Sequence, residues 1–190
     1  MLPPIVDCQI TGQAPTDSMP VQLTYRRISA DEIIYPEILR IRDYVDAKRG
    51  SRPFAARRDI LPEEIGFALG RIILMDVRKD PLDFVYRLYG SEISDADGDE
   101  VTKKSVYDQP AGDYRDHLIA CYTDAIAARC AVYHDMRVTD SRRSARFQRG
   151  LFPLSSDGTT IDMLLSITWW NNDLKPLWDR FLAERGLSKE

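Results

Sequence analysis

The stretch DFVYRLYG, residues 83–90, decides the fold of this chain because it reads as one strand of a sheet. Its side chains form two alternating sets, Phe84, Tyr86 and Leu88 against Val85, Arg87 and Tyr89. Alternation with a period of two, ended by a glycine, is typical of a β-strand. The preceding run RIILMDV (71–77) is rich in β-branched residues, and a short connection containing Pro81 joins the two runs. The pair therefore predicts a hairpin.

Arg87 places a permanent cation in the middle of this strand. A buried guanidinium without a partner would cost several kcal/mol, so the side chain needs a carboxylate, a carbonyl or a partly wet site. The planar fork of arginine is suited to fastening two segments together. We interpret Arg87 as an architectural residue that pairs with Asp59 or Asp76. The alternative is that Arg87 binds the anionic group of a ligand.

Further from this hairpin, the helical patterns predict three main helices. An apolar stripe within residues 31–50 predicts the first, which starts either at the capping-box spelling SADE (29–32) or with Pro36 in its first turn. Residues 114–131 give the longest helical pattern, and residues 174–186 predict a final amphipathic helix.

Three further strand patterns complete the predicted core. They lie at residues 132–139, 144–154 and 160–170, and the turn SSDG (155–158) joins the last two. Five strands of one antiparallel sheet, split by a helical block, define an α+β domain. We expect helices on one face, with the terminal helices free to cover the other face or to meet a partner.

These patterns predict four regions along the chain. Residues 1–30 are expected to form an irregular arm, residues 31–50 a flanking helix, residues 51–172 the main domain and residues 173–190 a C-terminal helix.

Three segments, in the same order, resemble a bacterial family of small stand-alone PAS proteins over about residues 36–170. AARRDILP (55–62) is similar to a linker of the form P-x-R-x-D-[IL]-x-P, with Ala55 where proline is usual. FVYRLYGSEI (84–93) is similar to a strand ending in Y-R-[LV]-x-G-[ST], and QRGLFPLSSDGTTIDMLLS (148–166) to the family's strand–turn–strand ending. The resemblance implies a PAS-like five-stranded sheet, small-ligand sensing and dimer contacts. It also matches Arg57, Arg87 and Arg149, which we interpret as structural arginines.

A ligand cavity would lie between the concave sheet face and the long helix. The candidates to line it are the strand residues Phe84, Tyr86, Met163 and Leu165, with Tyr122 on the helix. Each of these side chains is equally suited to filling a core.

His117 raises the question of a cofactor. Haem-binding PAS domains can place an iron ligand on this helix, but a lone histidine is a weak signal and we do not expect haem. His117 and Cys121 are one helical turn apart. No segment like N-C-R-F-L-Q holds an adduct-forming cysteine, so we do not expect flavin photochemistry either.

Two charged clusters are interpreted as solvated surface. The acidic run DADGDE (95–100) fails the register of a calcium-binding EF-hand loop, because its glycine is fourth rather than sixth. The arginines from Arg142 to Arg149 could hold a phosphate or an acidic partner, but a solvated sheet edge is the preferred interpretation.

Composition narrows the class of protein. The 190 residues carry a formal net charge of −4, which disfavours nucleic acid as a partner. No apolar segment approaches the length of a membrane span, and the first residues lack the basic start and apolar stretch typical of a signal peptide. Cys8, Cys121 and Cys130 have no CxxC spacing. These features predict a cytoplasmic protein.

The function predicted from these features is a sensory or ligand-binding module. It would act through a homodimer formed by its terminal helices or through a separate effector protein, because these residues leave no room for an effector domain. The alternative is a protein-interaction scaffold with a dry core, whose surface would be the helix at residues 31–50. Nucleophile elbows, P-loops and dinucleotide fingerprints are missing from the sequence, so we do not expect an enzyme.

Overall fold

The computed structural model describes residues 19–187, and within them six strands form one antiparallel sheet. The order across the sheet is β1-β4-β5-β6-β2-β3. The strands are β1 (Gln22–Ile28), β2 (Ile72–Arg78), β3 (Asp83–Tyr89), β4 (Val132–Thr139), β5 (Ser144–Leu154) and β6 (Met163–Trp170). The helices are α1 (Pro36–Arg49), α2 (Ser91–Asp97), α3 (Asp113–Ala128) and α4 (Lys175–Glu184). The α+β class and the antiparallel pairing predicted from the sequence are confirmed.

The sixth strand corrects the prediction of five strands and of an irregular arm over residues 1–30. Strand β1 pairs with β4 along its whole length, from Gln22 opposite Thr139 to Ile28 opposite Tyr133. It lies at the sheet edge with mostly exposed side chains, so it lacks the apolar alternation by which strands are recognised. Residues 1–18 of the predicted arm lie outside the described residues.

Helix α1 covers one face of the sheet, which we call the outer face. Pro36 occupies its first turn, and Gly50, with a φ of 56°, follows its last residue. Ile38 and Ile41 are fully buried against residues of β5 and β6. The apolar stripe proposed as a partner surface is therefore used inside the fold.

The opposite face, which we call the inner face, is covered by α3 and α4. Helix α3 packs on β4 and β5, and α4 packs on β4 and α2. Leu177, Trp178 and Phe181 of α4 are buried with β4 and β5 residues. The terminal helices were expected to cover the other face or to meet a partner; α1 does cover the outer face, whereas α4 forms part of the cover of the inner face.

A β-bulge at Arg87 changes which side chains of β3 face inward. Leu74 of β2 pairs with Leu88, whereas the next residue, Met75, pairs with Tyr86, so Arg87 is the extra residue. Tyr86 and Tyr89 consequently point to the same face, and their ring centroids are 5.4 Å apart. Strict alternation would have placed them on opposite faces.

Candidate ligand-binding site

A row of polar residues crosses the inner face of the sheet. Arg27 on β1 pairs with His134 on β4, His134 with Arg149 on β5, and Arg149 with Thr168 on β6. Residues directly opposite each other in neighbouring strands share a face. Four consecutive strands therefore carry a continuous polar line beneath α3, in a region where the rest of the sheet is mostly apolar.

Arg149 is the central member of this row. Its relative exposure is 5%, and its Nε donates a hydrogen bond to Thr168 Oγ1 at 3.2 Å. Its Nη1 is buried and meets no hydrogen-bond partner among residues 19–187, and the groups that act most strongly on its charge are tyrosines and Cys121 rather than a carboxylate. Arginine keeps its charge in proteins, so this is a buried cation with unused donor capacity. The interpretation of this arginine cluster as a solvated edge is wrong at Arg149, because β5 is a central strand.

Two neighbours of Arg149 on adjacent strands carry further unsatisfied atoms. His134 Nδ1 and Ser166 Oγ are buried and have no partner among the described residues. His134 Nε2 lies 3.7 Å from Asp124, beyond hydrogen-bond distance. Buried polar groups nearly always have a partner in the form of protein or ordered water. Three adjacent strands therefore present a polar surface that is suited to water or to a small ligand.

Beside this row lies a cavity of about 40 Å³, which we call the inner cavity. It lies between the inner face of the sheet and the helices α2, α3 and α4. Its lining is formed by Ile73, Tyr86, Tyr89, Ile93, Ala96, Asp97, Tyr114, Leu118, Tyr122, Phe147, Arg149, Thr168, Trp170, Leu174 and Trp178. The wall is thus mostly aromatic and apolar, with one cation and one carboxylate.

A larger cavity of about 250 Å³, the outer cavity, adjoins the first. The two share Tyr89, Asp97 and Tyr114 as a common wall. The outer cavity is lined on its other sides by the loop before α3 and by Leu182 and Leu187 at the end of α4. The shared wall therefore separates the inner cavity from the outer cavity.

Asp97 holds this wall together. Its carboxylate accepts a hydrogen bond from the Tyr89 hydroxyl and another, of 2.8 Å, from Trp178 Nε1 on α4. Burial raises the pKa of Asp97 while both hydrogen bonds lower it, and the net direction is upward. The interpretation of residues 95–100 as a solvated acidic turn is wrong at Asp97, which joins α2, β3 and α4.

His117 and Cys121 lie on α3 beside the inner cavity rather than in its lining. Cys121 Sγ is 3.6 Å from His117 Nδ1, and the ring of Tyr25 packs on His117 with centroids 4.0 Å apart. Burial lowers the pKa of His117 to about 3 and raises that of Cys121 to about 11. Within residues 19–187, no group of three or more metal-ligating side chains forms a metal site.

The predicted ligand-binding residues divide between the two faces. Tyr86 and Tyr122 line the inner cavity, and Phe84 packs edge-on against Tyr122 with ring centroids 5.2 Å apart. Met163 and Leu165, in contrast, lie in the outer-face core beneath α1, so their assignment to the cavity is wrong. Strand β6 is apolar on both faces, and its sequence does not reveal which set of side chains points inward.

The predicted structural arginines differ in their environments. Arg87 is exposed and forms two hydrogen bonds to Asp76, Nε to Oδ1 at 2.8 Å and Nη2 to Oδ2 at 3.1 Å. Arg57 donates to the carbonyl of Ile60 at 2.8 Å and so closes its own turn. Arg87 thus joins two neighbouring strands and Arg57 stabilises a local turn, whereas Arg149 lines the inner cavity.

Sequence reasoning missed most of the cavity wall, including the three residues whose side chains are hydrogen-bonded to one another, Tyr89, Asp97 and Trp178. Tyr89 was assigned to the opposite face of the sheet from Tyr86, because no sequence pattern indicates the β-bulge at Arg87. Asp97 belongs to an acidic run that was interpreted as solvated surface, and Trp178 belongs to the apolar stripe of a helix, where it was expected only to pack against the core. The indole N–H of a buried tryptophan usually has a hydrogen-bond acceptor. That requirement was a signal in the sequence that Trp178 needs a polar partner.

Comparison with known proteins agrees with this architecture. A family model described as a PAS domain matches residues 35–168, and the chain belongs to this family. PAS domains form sensory modules, and this membership supports such a role here. A search of curated proteins gives no match.

One solved structure similar to this chain is described as that of an RNA-binding light-oxygen-voltage receptor. The match has a TM-score of 0.43 and 13% identity, and it covers 86% of this chain but 42% of the receptor chain. This chain therefore spans less than half the length of that receptor. In the described part of the chain, none of the helices is both long and apolar enough to cross a membrane.

Proposed function

We propose that this PAS domain is a sensory module that binds a small molecule in the inner cavity and signals through a change in the docking of α4. The observation that carries the proposal is Arg149, which lines the inner cavity and leaves its buried Nη1 without a hydrogen-bond partner among residues 19–187. His134 and Ser166, on the neighbouring strands, leave one further buried polar atom each. An unsatisfied buried polar group costs about 1–3 kcal/mol, more when it is charged, so a molecule in the cavity that accepts a hydrogen bond from Arg149 Nη1 gains that free energy. A scaffold with a dry core would instead be expected to fill this face with apolar side chains.

The position of α4 supports the link between binding and signalling. Leu174 and Trp178 form part of the cavity wall, so a ligand that contacts them changes the free energy of α4 docking. Few polar contacts hold the helix to the body of the domain. Among the described residues they are Trp178 with Asp97, Arg180 with Asp140, Glu184 with the backbone N–H of Val21, and Arg185, which directly follows α4, with Asp113 and the carbonyl of Val21.

The change in α4 would be read by a second copy of this chain or by a separate protein. The exposed side of α4 carries Lys175 and Asp179, which form an ion pair one turn apart. A charged, solvated face is suited to a reversible contact. The homodimer predicted through the terminal helices is kept as part of this proposal, with the exposed sides of the helices rather than their buried stripes as its surface.

The proposal assigns no catalysis to this site. A Cys–His pair can form a nucleophile and its base, but only if the thiol ionises readily. The pKa of Cys121 is raised to about 11 and that of His117 is lowered to about 3, both chiefly by burial. At neutral pH the thiol is therefore protonated and the imidazole is uncharged, which favours a structural role for the pair.

Native mass spectrometry combined with hydrogen exchange tests the proposal. The wild-type protein is expected to retain a small molecule, either from the cell or from a metabolite library, and binding should change amide exchange in α4. Ala96→Leu adds side-chain atoms inside the cavity and should abolish binding, whereas Ala127→Leu, on the exposed side of α3, should not. If the wild type binds nothing in either assay, the scaffold hypothesis is favoured instead.

A further inference from the structure

We infer that the inner cavity is a site for a small monovalent anion that binds to Nη1 of Arg149. This inference rests on the proposed function and names the chemical class of its ligand. Its basis is the charge of Arg149, which is buried on an interior strand of the sheet, leaves Nη1 without a partner among the described residues, and has no carboxylate among the groups that act most strongly on it. A buried charge needs a counter-charge close to it.

The groups that surround Arg149 do not supply that counter-charge. Thr168 and Tyr122 are uncharged, and His134 opposite it on β4 is a neutral imidazole at pH 7 because burial lowers its pKa to about 4. Asp97 lines the same cavity, but it lies beyond ion-pair distance, and its two oxygens already accept hydrogen bonds from Tyr89 and Trp178. The N–H groups of Arg149 Nη1 are therefore available to a ligand.

The size of the cavity limits the ligand to a few atoms. A volume of about 40 Å³ compares with the roughly 10–15 Å³ that one water molecule requires, so it holds about three waters or one molecule of three to four heavy atoms. Formate, acetate and nitrate have this size. They also have planar oxygen pairs, which match the geometry of a guanidinium.

The adjoining outer cavity provides the route by which such an anion reaches Arg149. The wall between the two cavities consists of Tyr89, Asp97 and Tyr114, of which Tyr89 and Asp97 are hydrogen-bonded to each other. Movement of the Asp97 carboxylate would break its bond to Trp178 and so loosen α4. Passage of the ligand and release of α4 therefore involve the same hydrogen bond.

Anion titrations of the full chain test this inference. The protein is exchanged into a buffer whose anions are too bulky for the cavity, and sodium formate, acetate or nitrate is added at constant ionic strength. The wild type should show saturable heat in calorimetry and a rise in Tm of roughly 5 °C or more at a hundredfold excess over Kd. Arg87→Met, which removes an exposed arginine, should respond in the same way.

Arg149→Met should show no saturable response, and its Tm in anion-free buffer should equal or exceed that of the wild type, because an unpaired buried charge has been removed. Arg149→Lys keeps the charge and should bind the same anions with affinity reduced roughly tenfold, since lysine lacks the planar fork. A wild type without saturable binding, or an Arg149→Met variant that binds like the wild type, would overturn the inference. If native mass spectrometry then still found a neutral molecule bound, the inference would fail while the proposed function stood.

Discussion

Lowering the pH from 7 to 5 should destabilise this protein through its two buried histidines. His117 and His134 have relative exposures of 5% and 3%, and burial lowers their pKa values to about 3 and about 4. The positive charge of Arg149 is the next cause of the lowered pKa in both cases. In the unfolded chain a histidine titrates at about 6.5. Between about pH 6.5 and pH 4, the two histidines are therefore protonated in the unfolded chain but neutral in the folded protein.

The sign and the size of the effect follow from this difference. Above pH 6.5 both states hold neutral histidines, so these residues add no pH dependence. Below pH 6.5 the unfolded state gains protons, and stability falls by about 1.4 kcal/mol per histidine for each pH unit until the folded pKa is reached. At pH 5 the loss is about 2 kcal/mol for each residue and about 4 kcal/mol for both. This is a large share of the roughly 5–15 kcal/mol that stabilises a typical protein.

Asp97 works in the opposite direction. Its pKa is raised in the folded state, so the folded protein takes up this proton before the unfolded chain does, and the contribution to stability grows as the pH falls. This contribution opposes that of the histidines where the pH approaches the folded pKa of Asp97. With Asp97→Asn, the loss of stability on acidification should therefore be at least as large as in the wild type.

Urea denaturation at pH 7, 6 and 5 measures the effect. The wild type should lose stability steadily over this range, His117→Gln or His134→Gln should lose about half as much, and the double variant should be nearly flat. Arg149→Met should also weaken the dependence, because the histidines then titrate nearer to their ordinary pKa. Equal stability of the wild type at pH 7 and pH 5, or an unchanged slope in the double variant, would refute the reasoning.

Three further substitutions test other parts of the structure by urea denaturation. Gly90→Ala should cost about 1–3 kcal/mol or more, because a Cβ there would lie 2.4 Å from a backbone carbonyl oxygen; wild-type stability would show that the backbone yields easily. Trp178→Phe should cost about 1–3 kcal/mol and raise the pKa of Asp97 further, because it removes one of the two donors to a partly buried carboxylate; an unchanged pKa, measured by NMR, would argue against that contact. Arg87→Met should change stability by less than about 1 kcal/mol, since its pair with Asp76 is exposed, and a larger loss would contradict this assignment.

Much of the fold could be predicted because most elements carry a clear period. Strands β4 and β5 have the limits that alternation predicts, and β2 and α3 begin and end within a few residues of their patterns. The edge strand β1 could not be predicted, because its side chains are mostly exposed and backbone hydrogen bonds to β4 hold it in place. Apolar and polar residues alternate along a strand only when one of its faces is buried, so a strand with mostly exposed side chains lacks this pattern.

The site was less accessible to sequence reasoning because it depends on which face each strand presents. Tyr86 and Tyr122 line the inner cavity, whereas Met163 and Leu165 belong to a strand that is apolar on both faces and lie in the outer-face core. Arg149 was identified by resemblance as a structural residue, but its role depends on what lies around it in space. The partners of a side chain across the sheet are fixed by strand register, which one sequence does not display.

The most direct test of the central claim is a crystal structure of the protein soaked in sodium bromide, a heavy monovalent anion with an element-specific scattering signal. A bromide ion in contact with Nη1 of Arg149, between the sheet and the helices α3 and α4, is the predicted result. Bromide at exposed arginines alone, with water bonded to the Arg149 guanidinium, would contradict it.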